Sequence, residues 1–87
     1  MVTSIGNPYV DDANIRFFSC KTNDEEFVWH RDVNDRYITV IEGQAWQLQY
    51  NGSLPILLEE GKTYFIEAEL YHRLIKGATD LTIEIKE

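Results

Sequence analysis

The run QAWQLQYNGSLPILLEEGKTYFIEAE, residues 44–69, alternates with a period of two and then reverses at Asn51-Gly52. Trp46, Leu48 and Tyr50 fall on one face of a strand and Gln47 and Gln49 on the other, because successive β side chains point to opposite sides. Asn-Gly between two such runs is the strongest short hairpin signal, since both residues tolerate the positive φ of a tight turn. The return run SLPILLEE carries Pro55, which has no N–H to give a ladder and belongs at a sheet edge. Gly61 marks a further turn, after which KTYFIEAE resumes as a strand.

The same pattern extends in both directions. Upstream, RYITVIE (36–42) is β-branched or aromatic from Tyr37 to Ile41 and is stopped by Gly43. EEFVWHRD (25–32) reads as a strand leading into a turn at 33–35. NIRFFSCK (14–21) is apolar on both faces, the pattern of a strand covered on two sides. Downstream, LYHRLIK (70–76) and DLTIEIKE (80–87) flank a turn at Gly77, with Leu81, Ile83 and Ile85 alternating with polar residues. Helical periodicity is nearly absent. About eight short strands with closely spaced turns predict an all-β sandwich or barrel. Residues 1–13, with Gly6, Pro8 and Asp11-Asp12, read as an irregular N-terminal arm, leaving 14–87 as a single β-barrel domain.

Eighty-seven residues make one domain with a modest core, which favours a partner subunit. Eight basic against fifteen acidic residues give a net charge of −7, a field that repels nucleic acid and anionic membranes. No run approaches the roughly 20 apolar residues of a membrane span. Cys20 is the one cysteine, and no basic, apolar leader opens the chain. A small domain without disulfides suits a reducing, cytoplasmic setting. Cys20 itself reads as a small half-buried residue in a strand rather than a nucleophile.

Chemistry concentrates in WHRD and YHR. On a strand His30 and Asp32 project together, while Trp29 and Arg31 face the other way; His72 lies forty-two residues after His30, again between an aromatic and an arginine. Two imidazoles and a carboxylate are ligands for iron, nickel, manganese or zinc, and held on one side of the ion they form a facial triad with open positions. Spacing alone does not separate this reading from hydrogen-bonded or surface histidines.

Residues 24–77 resemble the cupins, small jelly-roll (double-stranded β-helix) barrels, whose first motif is Gly-x5-His-x-His-x3-4-Glu-x6-Gly and whose second is Gly-x5-Pro-x-Gly-x2-His-x3-Asn. His30 stands at the first histidine, Gly43 at the closing glycine, Gly61 opens the second motif and His72 follows at the required interval. LLEEGKTYFI is similar to the family's Leu-x-x-Gly-Asp-x-x-x-Ile run. The resemblance implies a cupin-type barrel, a divalent metal with Fe(II) first in order, and pairing into a homodimer. Asp32 replaces the second histidine and Arg36 the glutamate ligand, and an arginine cannot bind a cation. Asp24, Glu67, Glu69 and Lys76 replace other motif residues. The metal set that remains is His30, Asp32 and His72, with Asp35 as a fallback.

Arg36 has two readings: it grips an anionic group of a small substrate, or it pairs with Asp32 or Asp35. Gln47 and Gln49 line a polar cavity in the functional reading and face water in the other. Two functions follow. One is a metal-dependent cupin, a dioxygenase or hydroxylase acting on a small anionic substrate. The other is a non-catalytic jelly-roll module that binds a small ligand or partner protein.

Overall fold

A computed structural model describes residues 14–87; the arm expected at 1–13 lies outside the described residues. Seven strands are described: β1 (Ile15–Phe18), β2 (Arg36–Glu42), β3 (Gln47–Tyr50), β4 (Ile56–Leu57), β5 (Thr63–Ile66), β6 (His72–Ile75) and β7 (Leu81–Lys86). They form two antiparallel sheets, ordered β1-β7-β2-β5 and β4-β3-β6. The sheets do not close into one barrel. Their buried residues form a single apolar cluster, built from Phe18, Ile38, Val40, Leu81 and Ile83 on one side and Trp46, Leu48 and Leu74 on the other. The described residues are all-β, with no α-helix and hence none long and apolar enough to cross a membrane.

The β-branched run at 36–42 is β2, the longest strand, and it pairs on both edges. Its ladder with β7 slips one residue between Val40 and Glu42, a bulge that bends the strand before Gly43. Gly43 sits at φ +151, and a Cβ there would stand 2.7 Å from Leu81 Cδ1. The Leu81 side chain fills the space a Cβ would need, and the positive φ favours glycine there.

The reversal at Asn51-Gly52 is present: Gly52 has φ +83 and Ser53 N–H donates to Tyr50 O. The return is delayed, however. Pro55 offers no N–H, so pairing with β3 starts only at Ile56 and lasts two residues. The 14–21 run also differs from expectation. As the edge strand β1 it buries Phe18 and leaves Phe17 75% exposed.

The strand expected over 25–32 is replaced by a short 3₁₀ turn, η1 (Glu25–Phe27), and a single bridge at His30. Asp24 caps the turn, its carboxylate accepting from Glu26 N–H at 3.0 Å. Phe27 then packs against Phe18 and Trp46. Capping and the burial of Phe27 outweigh the strand propensity of Phe-Val-Trp.

Candidate metal centre

His30 and His72 are directly opposite each other in an antiparallel bridge, exchanging backbone hydrogen bonds of 3.1 and 2.9 Å. That register explains the repeated aromatic-His-Arg tripeptide. Trp29 comes to lie opposite Arg73, and Arg31 opposite Tyr71. Each aromatic ring is covered by the arginine of the other tripeptide, Arg73 at 4.9 Å from the Trp29 centroid and Arg31 at 5.5 Å from Tyr71. These pairs occupy the outer face, and alternation sends both histidines inward. Their ring centroids are 4.3 Å apart.

Both rings are oriented in the same way. His30 Nδ1 lies 2.8 Å from Val28 O and His72 Nδ1 2.9 Å from Leu70 O. A carbonyl can only accept, so each Nδ1 carries a proton and Nε2 is the ring nitrogen turned toward the site. The arrangement is that of metal-ligating histidines, whose second nitrogen is fixed by an outer partner.

Each Nε2 faces a carboxylate. His30 Nε2 is 2.9 Å from Glu26 Oε1, and His72 Nε2 is 3.3 Å from Asp32 Oδ2. With neutral rings protonated on Nδ1, these would be lone pairs facing lone pairs. His30 Nε2 and Asp32 Oδ2 are buried and make these ion-pair contacts without an aligned hydrogen bond. One divalent cation would satisfy Glu26, His30 and His72 together. Donor atoms of Glu26, His30 and His72 all lie within 4.8 Å of one another. Ligands about 2.1 Å from an ion stand about 3.0 Å apart when adjacent, close to the 2.9 Å between Glu26 and His30.

The sequence-derived residues divide clearly. His30 and His72 are together. Asp32 touches His72 but stands outside the three-residue group, with Arg36 Nη1 at 3.5 Å from its Oδ2. The third member of the group, Glu26, was missed because a strand over 25–32 would scatter what the 3₁₀ turn gathers. Asp24-Glu25-Glu26 was readable as a capped first turn rather than a solvated acidic cluster. Asp35 is engaged elsewhere, accepting from Ala68 N–H at 2.8 Å.

Arg36 directs Nε and Nη2 to Glu87 Oε2, each at 2.9 Å. Asn34 and then Arg36 hold the Glu87 carboxyl below its ordinary range. Gln47 and Gln49 do not reach the histidines. Tyr50 pairs with His72 and Gln49 with Arg73, so alternation puts both glutamines on the outer face, where Gln49 accepts from Arg73 Nε. Tyr50, beside His72, donates to Phe65 O at 2.6 Å; burial and then Tyr64 raise its pKa, keeping it a neutral donor. The interior space by His72, Glu26, Arg36 and Ile85 measures about 10 Å³, room for one water and no organic substrate. Comparison with protein-family models, curated proteins and solved structures gave no match.

Proposed function

We propose that this protein is a small cupin-like metalloprotein that binds one divalent transition metal through His30, His72 and Glu26. The observation that carries the reading is the orientation of the two imidazoles. Both commit Nδ1–H to backbone carbonyls and aim Nε2 at a shared, hydrogen-bond-deficient space. The two histidines equated with the cupin ligands are cross-strand neighbours, which supports the jelly-roll reading of the two sheets. Fe(II), Ni(II), Mn(II) and Zn(II) all accept such ligands, and availability selects among them.

Two imidazoles and a carboxylate leave positions open on an octahedral ion, which supports chemistry of the dioxygenase or hydroxylase class. With interior room for a single water, an anionic organic substrate would meet the ion from the rim beside His30 and Glu26. The non-catalytic reading draws on the same filled interior. In it, the ion or a pair of Glu26–His30 and Asp32–His72 contacts simply ties η1 to β6. We also assign homodimer pairing to the outer face that exposes Trp29 and Tyr71.

Elemental analysis of tag-free protein tests the metal reading. Near one equivalent of metal per chain is expected, lost in His30→Ala and in His72→Ala. A folded wild type that neither retains nor takes up metal refutes it. Oxygen consumption by the loaded protein with small carboxylates then separates the catalytic reading from the structural one.

A further inference from the structure

We infer that Asp32 is a fourth ligand held in reserve by Arg36, and that metal loading exchanges the two cations on its carboxylate. This inference rests on the metal reading above and adds to it a gate. Three observations converge on Asp32. Its Oδ2 is buried without a hydrogen bond, a costly condition for a carboxylate unless a cation completes it. It lies 3.3 Å from His72 Nε2, the spacing of two adjacent ligands on one ion. Its nearest cation, Arg36 Nη1, is 3.5 Å away and aligned too poorly to count as a hydrogen bond.

Arg36 has a second partner already in place. Arg36 and Glu87 each stand one residue beyond the Tyr37–Lys86 pair, and the guanidinium makes its two short contacts there. Arg36 thus stands between a loose contact to Asp32 and a tight one to Glu87. Charge balance favours the exchange. A divalent ion with neutral His30 and His72 is neutralised by Glu26 and Asp32 together, while Arg36 is neutralised by Glu87. With only Glu26 bound, the ion would keep an excess charge facing Arg36 across the small cavity that both line with His72. The exchange breaks the Arg36–Asp32 contact and forms the Asp32–metal bond, with no redox change and no proton moved.

The test is calorimetric titration of Zn(II) and Co(II) into metal-free, tag-free protein. Asp32→Asn should weaken binding about ten- to a hundredfold, the loss typical of a ligand or its close support. Arg36→Gln should tighten it about tenfold, because a competing charge near the ion is removed. Glu87→Gln alters an exposed group, so the fold is kept, and it should weaken binding several-fold by returning Arg36 to Asp32. In the Asp32→Asn background, Glu87→Gln should have no effect, which is the coupling that a purely structural Arg36 would not show. Wild type that binds while Asp32→Asn binds equally well overturns the reserve ligand and leaves the three-residue centre standing. Wild type that binds no metal overturns both.

Discussion

Around Trp46, polar groups are matched. The indole N–H donates to Thr79 O, Gly43 N–H to Glu60, and Gln44 N–H to the Thr79 hydroxyl. At the other end of β7, around His72, two buried atoms, His30 Nε2 and Asp32 Oδ2, have no hydrogen bond. The same two sheets build both regions, so the contrast comes from the side chains placed there. At one end the polar groups are paired within the fold. The other keeps a concentration of lone pairs that packing by itself would not select, and such unsatisfied groups are where function is to be sought.

If that contrast is right, substitutions at the two ends should fail in different ways. Trp46→Ala removes the largest fully buried side chain and should destabilise by about 3–5 kcal/mol in denaturant unfolding. Metal stoichiometry of the fraction that remains folded should be unchanged. His72→Ala should show the reverse priority. Wild type should gain about 2.7 kcal/mol when metal is present at a hundred times its dissociation constant, and the variant should gain none. A metal-dependent stabilisation that survives in His72→Ala would place the ion elsewhere.

Smaller effects mark the outer face and the Arg36 gate. A double-mutant cycle on Trp29 and Arg73 should give a coupling of about 0.5–1 kcal/mol, with metal affinity unaffected. Coupling near zero would mean that the crossed cation–π pairs do not set the His30–His72 register. For Glu87 the sign follows from its lowered folded-state pKa. Its contribution is present above the ordinary value of 4.5 and is lost as pH falls through the folded value. Glu87→Gln should therefore lower stability slightly at neutral pH and converge with wild type as pH falls below about 4.5, flattening the acid limb, as measured by thermal unfolding across pH.

Much of the architecture was legible from local chemistry. The β-branched run at 36–42 and the alternation at 81–86 became strands in place, and Asn51-Gly52 turned the chain. The interval from Gly61 to His72, with the repeated aromatic-His-Arg tripeptide, marked the histidines that meet. Glu26 was hidden because its placement depends on Phe27 reaching Phe18 and Trp46, a tertiary contact that overrides strand propensity. Gln47 and Gln49 were legible as a pair sharing one face. Which face His72 shares is set by the β3–β6 register, and no local pattern encodes it.

Histidine side-chain nitrogen NMR on the metal-free protein, followed by Zn(II) addition, bears most directly on the proposal. Both rings should carry a proton on Nδ1, and one equivalent of Zn(II) should shift the two Nε2 resonances together. Two doubly protonated rings that ignore Zn(II) would show instead a pair of ion-paired imidazoliums, and the metal centre would have to be abandoned.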